Sequence, residues 1–425
     1  MLNPDSVAAV EAARFGERFV RPIYDGYGFA RLPGSIETML TGADAPGLPP
    51  AALAGLGPRH ETVIMVLIDA LGWRFFAPRL AAYPFLRRFL DDGVISRLTT
   101  MFPSTTAAHV TAIHTGRDPA ASGIYEWFYY EPSLDRIIAP LLFSFAGDKG
   151  RETLAAAKVS PQILNSGDTL YQRLAAGGVH ASVYQHTSYA QSSFSRVVCA
   201  GADMVAFRTL PEALTLLAGR LAAASGPSYH LLYVDTVDAI AHVYGPDSPH
   251  VNAEIDTVLT TLDRLLHPAL ANLGRPSLLL LTADHGQIAI EPARAHLVNQ
   301  RIPELVEATP LCADERPRAP SGSSRDLFLY VKPEQRDAMH AALTQALAGC
   351  AEVHHTADLV AAGLFGPTPS DVFLSRVGDL AILPYAGETV WWANKRFPVR
   401  FKGSHGGLTP DEAHTQLAAL AYDGS

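Results

Sequence analysis

The sequence predicts an α/β fold of three layers, with helices on both faces of a mainly parallel sheet. Three continuous apolar runs, VIMVLID ending at Asp69, HLLYVD ending at Asp235 and SLLLLTAD ending at Asp284, suit strands buried on both faces. Helix-like stretches such as PEALTLLAGRLAAA and NAEIDTVLTTLDRLLHPAL lie between them, so strands and helices alternate as parallel connections require. Each run stops at a carboxylate. Ligands in open α/β sheets bind at the carboxyl ends of strands, so the three ends are expected to line one site.

The bulk properties fit this class. A chain of 425 residues has length for two or three domains or one large sheet, and an apolar share of 48% against 18% charged residues leaves no case for disorder. The formal charge of −9, from 33 basic and 42 acidic residues, argues against a nucleic-acid polymer or an anionic membrane as partner. The amino terminus MLNPDSVAAVEAARFGERF carries acids and lacks the cationic start and apolar core of a secretory signal. No apolar run approaches membrane-spanning length, so a cytoplasmic protein is expected. Cys199, Cys312 and Cys350 are odd in number and lack Cys-x-x-Cys spacing, which suggests neither a disulfide framework nor a thiolate zinc site.

Taken in chain order, residues 1–290 form the expected catalytic core, with an amino-terminal arm set off by the Pro- and Gly-rich segment 42–58. Residues 291–400 are expected to form a small, cap-like α+β insertion. It opens with a second loop, ADERPRAPSGSSRD, followed by a strand, helix, strand pattern in RDLFLYVKPEQRDAMHAALTQALAGCAEVHHT. Residues 401–425 return to the core and carry His405.

The chemistry is concentrated in four short segments. MFPSTTAAHVTAIHTG places Ser104, Thr105 and Thr106 side by side before a helix-like run. In DTVDAIAHVYGP, Asp238 and His242 are four apart, so on a helix they project from one face and can hold one cation. TADHGQ adds Asp284 and His285 before Gly286, which lets the chain turn tightly, and GSHGG sets His405 between small residues in a loop. Oxygen and imidazole donors suit Zn²⁺, and the six residues Asp69, Asp238, His242, Asp284, His285 and His405 suffice for two ions when a nucleophile and water complete the shells.

The segments VLIDALG, FPSTTAAHVTAIHTG, YVDTVDAIAHVYGP, TADHG and GSHGG, in this order from Asp69 to His405, make the chain resemble the type I phosphodiesterase/nucleotide pyrophosphatase family of the alkaline phosphatase superfamily. The resemblance implies an alkaline-phosphatase-like α/β/α core. It implies that Asp69, Asp284 and His285 bind one zinc together with the nucleophile, that Asp238, His242 and His405 bind the other, and that Thr106 is the nucleophile. Other divalent metals are admitted. The implied activity is hydrolysis of phosphodiester or pyrophosphate bonds through a covalent phospho-threonine, acting on a small phosphorylated substrate, nucleotides among the candidates. Ser104 and Thr105 are then expected to cap the following helix. His109 and His114 match no ligand position and are expected to be packing or surface residues. Asp235 is left to orient a ligand or to make a plain hydrogen bond at the strand end.

The chain departs from the family in one place. Where relatives carry an Asn that donates to a phosphate oxygen, an ungapped alignment through GIYEW puts Trp127, after Glu126. Either its indole nitrogen donates instead or the phosphate pocket is shaped differently. A phosphomonoesterase or phosphonate hydrolase on the same metal pair is therefore the alternative expectation, with a non-catalytic metal-binding protein behind it. The aromatic run Tyr125 to Tyr130 either stacks on a base or packs as core, and Lys395, Arg396, Arg400 and Lys402 either steer an anionic substrate or form a solvated loop face. FPSTT lacks the Cys-x-Pro-x-Arg order of sulfatases, and a threonine argues against phosphoglycerate mutases, which use serine.

Overall fold

A computed structural model describes residues 1–165, 167–394 and 397–423. The main elements are β1 (Thr62–Ile68), β2 (Val94–Thr99), α1 (Thr106–Thr115), β3 (His180–His186), β4 (Asp203–Phe207), α2 (Leu210–Ala223), β5 (Ser228–Val234), α3 (Thr236–Tyr244), α4 (Pro249–Thr261) and β6 (Ser277–Thr282). They continue with β7 (Ser321–Ser323), β8 (Asp326–Leu329), α5 (Arg336–Ala346), β9 (Ala351–His355), β10 (Leu380–Pro384) and β11 (His414–Tyr422). Seven strands form one sheet in the order β2-β11-β6-β1-β5-β3-β4, in which β11 alone runs antiparallel to its neighbours.

The three apolar runs are the three central parallel strands β6, β1 and β5, and every residue in them is buried. Their period of two splits each run between two cores. Val63, Met65 and Leu67 of β1 join Leu278 and Leu280 of β6 on the face that packs Ala108, Val110 and Ile113 of α1. Ile64, Val66 and Ile68 join Leu279 and Leu281 on the opposite face, against Leu217 of α2 and Ile255 of α4. A strand covered on both faces has no polar side to alternate with, which is why these runs read as continuous.

Register decides where the carboxylates arrive. Ile68 pairs with Val234, and Leu67 pairs with Thr282. The residues just beyond the strand ends, Asp69, Asp235 and Asp284, therefore leave the sheet at nearly the same level, at the crevice where α/β sheets bind ligands.

A second, wholly antiparallel sheet of order β7-β8-β10-β9 occupies residues 321–384. Phe328, Ala381 and Leu383 point into the core that holds α1, while Leu327, Leu329, Leu380 and Ile382 pack with Leu343 of α5 in a cluster of their own. The expected strand, helix, strand pattern is β8, α5 and β9. The loop expected before it closes instead as the tight hairpin β7–β8. Its tip is internal because Arg325 is fully buried and fully engaged: Nε and Nη2 donate to the two carboxylate oxygens of Glu412 at 3.0 and 2.8 Å, and the guanidinium also reaches the carbonyls of Pro384, Tyr385 and Glu388. Glu412 in turn accepts from the Gly407 amide at 3.1 Å and from the Thr409 hydroxyl. One bidentate pair thus ties the second sheet, the His405 loop and β11 together. Among the described residues no helix is long and apolar enough to cross a membrane.

Truncating one member of a buried ion pair leaves the other charge without compensation. Arg325→Met should destabilise the protein by about 3–5 kcal/mol in urea unfolding. An Arg325→Met protein within about 1 kcal/mol of the parent would show that the pair holds nothing.

Candidate active site

The site is assembled from strand ends. Asp69 follows β1, and its amide donates to Val234 O at 2.8 Å, continuing the β1–β5 pairing by one residue. The chain then reverses through Ala70 in the left-handed region, φ 62°, which costs a side-chain-bearing residue about 1–2 kcal/mol. The strained turn aims the Ala70 amide at Asp284 Oδ1, 3.1 Å away. Two glycines allow the segments to meet: a Cβ on Gly72 would lie 2.6 Å from Gly286 Cα, and one on Gly286 would lie 2.0 Å from Asp411 O. The glycine of TADHG is thus required by close backbone approach.

The three histidines share one arrangement. His285 Nδ1 lies 3.0 Å from Gly286 O, His242 Nδ1 lies 2.8 Å from Gly403 O, and His405 Nδ1 lies 2.9 Å from Ser104 O. A carbonyl can only accept, so each Nδ1 carries the hydrogen and each Nε2 is left with a free lone pair. All three Nε2 atoms face carboxylates: His285 faces Asp69 and Asp284 at 3.4 and 3.5 Å, His242 faces Asp238 at 3.3 Å, and His405 faces Asp238 at 3.7 Å. Metal-binding histidines are held in this way, with the remote nitrogen donating to a carbonyl or carboxylate.

The residues fall into two groups that meet at His285. Ligand atoms of Asp69, Asp284 and His285 lie within 4.8 Å of one another, as do those of Asp238, His285 and His405. His285 and His405 stack at 3.7 Å between ring centroids, and His242 lies 5.1 Å from His405. All six residues expected from the sequence are therefore brought together, and Thr106 joins them with its Oγ1 at 3.1 Å from His285 Nε2.

The electrostatics fit a cation. Asp69 Oδ1 and Asp284 Oδ2 are buried without a hydrogen-bond partner among the described residues, and no Lys or Arg among those residues pairs with Asp69, Asp238 or Asp284. Burial first, and then the neighbouring Asp284 and Asp238, push the Asp69 carboxyl well above its ordinary range. Burial raises Asp284 to about 7. Burial, reinforced by His405 and His109, lowers His285 well below the ordinary imidazole value, and burial also lowers His405. Neutral imidazole lone pairs opposite unpartnered carboxylate oxygens are a donor set suited to divalent metal.

The hydroxyl triplet divides its labour. Ser104 and Thr105 are buried, and Thr106 alone is partly open to solvent. Thr105 is the N-cap of α1, accepting from the Ala108 amide at 3.5 Å and donating to Tyr125 O at 3.1 Å. The expectation that Ser104 also caps this helix is corrected. Its hydroxyl donates to Gly407 O at 2.7 Å and accepts from the Gly406 amide at 3.1 Å, because the chain before α1 lies against the GSHGG loop. Ser104 thus holds the His405 loop through both its side chain and its carbonyl.

The remaining candidates resolve individually. His109 accepts from the Met101 amide through Nε2 and donates to Thr105 O through Nδ1, and burial lowers it to about 3. His114 is buried against Tyr171 and is also lowered to about 3. Asp235 accepts from Tyr189 OH at 3.0 Å and contacts no ligand residue through hydrogen bonds, so its role is the plain one. Tyr125, Tyr129 and Tyr130 are core, with Tyr125 and Tyr129 stacked, whereas Trp127 is 38% exposed beside Phe128. Lys395 and Arg396 lie outside the described residues; Arg400 and Lys402 are exposed. Between them Phe401, also exposed, lies 4.7 Å from the His242 ring.

Two residues escaped the sequence reading. Tyr233, buried one strand over, donates its hydroxyl to Asp69 Oδ2, and Gln287 donates Nε2 to Asp238 Oδ1 at 2.5 Å. Both stand within quoted motifs, but neither residue type signals a carboxylate partner. Only register and the turn after Asp284 reveal the contacts.

Linkage gives a pH prediction. Asp69 and Asp284 have folded pKa values above their unfolded values and hold protons that the unfolded chain releases, whereas the lowered His285, His405, His109 and His114 hold fewer, so the two sets oppose each other in the metal-free protein. Bound divalent metal favours the ionised carboxylates and neutral imidazoles, so the stabilisation it adds should grow with pH. The rise in unfolding temperature on replacing chelator with excess Zn²⁺ should be larger at pH 7.5 than at pH 5.5. An equal or smaller rise at pH 7.5 would contradict the site.

A family model for type I phosphodiesterase/nucleotide pyrophosphatase matches residues 63–408. Murine ectonucleotide pyrophosphatase/phosphodiesterase 5 is similar in structure, with a TM-score of 0.62 at 16% identity over 85% of this chain and 88% of that one. The human protein of the same name gives 0.62 at 17% identity over 85% and 88%. An inactive threonine-to-alanine variant of the murine protein in complex with AMP gives 0.62 at 15% identity over 86% and 89%. No curated protein matches the chain.

Proposed function

Because the chain belongs to the type I phosphodiesterase/nucleotide pyrophosphatase family of the alkaline phosphatase superfamily and is a hydrolase, we propose that it cleaves phosphodiester or pyrophosphate bonds of a small, nucleotide-like substrate with Thr106 as nucleophile. The observation that carries the proposal is the division of the hydroxyl triplet. Thr106 is the one member free of structural duty and open to solvent, and it stands on the carboxylate and imidazole cluster.

In this reading Asp69, Asp284 and His285 hold one zinc with Thr106, and Asp238, His242 and His405 hold the second. When bound, the pair supplies positive charge that lowers the hydroxyl pKa and stabilises the attacking and leaving oxygens. Thr106 sits at the first position of α1, where unsatisfied amides and the positive end of the helix dipole favour a phosphoryl oxygen. Its Oγ1 forms the new bond to phosphorus as the bond to the leaving oxygen breaks, and the leaving group departs as an alcohol or a phosphate. The Thr106 proton passes to solvent. Water then cleaves the phospho-threonine and restores the hydroxyl. Ser104, Tyr233 and Gln287 fix the ligands in place.

The AMP complex of the murine relative supports the nucleotide-like class. Trp127 supports the second reading, a monoesterase or phosphonate hydrolase, because an exposed indole replaces the expected amide donor. The proposal also keeps residues 291–400 as an insertion on a core of 1–290 and 401–425, supported by the separate sheet and its own apolar cluster. A cytoplasmic location is supported by three cysteines that are all free.

Zinc-loaded protein should turn over bis-p-nitrophenyl phosphate faster than p-nitrophenyl phosphate, and Thr106→Ala should lower diester turnover by about 10⁴-fold or more while retaining metal. Full activity in Thr106→Ala would end the nucleophile assignment. Monoester or phosphonoacetate preference would move the protein to the second reading.

A further inference from the structure

A second cluster of metal-ligating side chains lies outside this site. His296, Cys350 and Glu388 come from three separate segments of the 291–400 region and place one ligand atom each within 4.8 Å of one another. His296 sits in the short strand His296–Leu297, paired in parallel with Val390–Trp391, and its amide donates to Thr389 O at 2.8 Å. Cys350 immediately precedes β9, and its carbonyl accepts from the Tyr385 amide at 2.9 Å. Glu388 ends the turn Tyr385–Ala386–Gly387–Glu388, which reverses through Gly387 at φ 80°. The Glu388 amide closes this turn on Tyr385 O at 3.0 Å, and Arg325 grips both Tyr385 O and Glu388 O. The backbone presenting the three groups is therefore fixed on all sides.

The donor chemistry is coherent. His296 Nε2 lies 2.8 Å from a Glu388 oxygen, and its Nδ1 is buried with no hydrogen-bond partner among the described residues. The imidazole is 12% exposed and the carboxylate 29%, so an ion there would be shielded but reachable. Cys350 is a free thiol and is likewise half-buried. A sulfur, an imidazole nitrogen and a carboxylate oxygen form a set for a borderline-soft divalent ion such as Zn²⁺, rather than for Mg²⁺ or Ca²⁺. Ligand atoms around tetrahedral zinc lie about 3.3–3.8 Å apart, so the Cys350 sulfur would move in by about 1 Å at most and the His296–Glu388 contact would open by about 0.5–1 Å.

We propose that His296, Cys350 and Glu388 form a third divalent-metal site, separate from the catalytic cluster, that pins the Tyr385–Glu388 turn to the helix end before β9. Three protein ligands leave a fourth position for water. The metal binds the thiolate, and the Cys350 proton leaves to solvent.

Cobalt distinguishes the two sites, because the catalytic cluster contains no sulfur and only a thiolate ligand gives a sulfur-to-cobalt charge-transfer band in the near ultraviolet. Titrating the full-length, reduced protein with Co²⁺ should produce that band, with an amplitude at saturation corresponding to one thiolate-bound ion per chain. The band should be absent from Cys350→Ser and should need at least ten-fold more cobalt in His296→Ala. It should persist in Cys312→Ser and in Asp284→Asn, which disables the catalytic cluster. Circular dichroism and diester turnover of Cys350→Ser, expected unchanged after zinc loading, confirm that this variant is folded. No band in the parent, a band surviving in Cys350→Ser, or a band lost in Cys312→Ser would each overturn the proposal.

Discussion

The site depends on the fixed tautomer of three histidines. Each gives its Nδ1 hydrogen to a backbone carbonyl, that of Gly286, Gly403 or Ser104, and each therefore turns an Nε2 lone pair toward a carboxylate. Two acceptors facing each other at 3.3–3.7 Å repel unless a cation or a proton stands between them. Burial disfavours the protonated imidazoles at His285 and His405 and places the needed proton on Asp69 or Asp284 instead, where a bound divalent ion would take its place.

Much of the remaining architecture serves that arrangement. Two of the three carbonyls belong to loops, so those loops have to be held as firmly as a strand. Ser104 binds both Gly406 and Gly407, and Glu412 binds the Gly407 amide while neutralising Arg325. The loop that carries His405 is thus anchored to the segment before α1 on one side and to the second sheet on the other. On the sheet side, the in-phase register of β1 and β6 brings Asp69 and Asp284 side by side, and the left-handed Ala70 turns an amide toward Asp284. The fold concentrates negative charge where it can least be solvated, and the energetic demand this creates is what a metal satisfies.

The sequence was legible where one physical cause acts over a long stretch or where residue type implies chemistry. Burial on both faces produced the apolar runs of β1, β5 and β6, and carboxylates and imidazoles at strand ends announced the site. Contacts set by register between distant segments were not legible. Tyr233 and Gln287 touch ligands although nothing in their own neighbourhoods says so, and Ser104 looked like a cap because hydroxyls before helices usually are. Arg325 stood in a segment that reads as surface loop, since its partner Glu412 lies 87 residues away in sequence. The same limit hides the His296, Cys350 and Glu388 cluster, which has no motif spacing to betray it.

Anomalous diffraction from crystals grown with zinc would test the central claim most directly. The account predicts two peaks about 3.5–4 Å apart. One should be bound by Asp69, Asp284 and His285 beside Thr106, the other by Asp238, His242 and His405, with all three histidines coordinating through Nε2. Coordination through Nδ1, or a cluster without zinc while Thr106 keeps its hydrogen bond to His285, would contradict it.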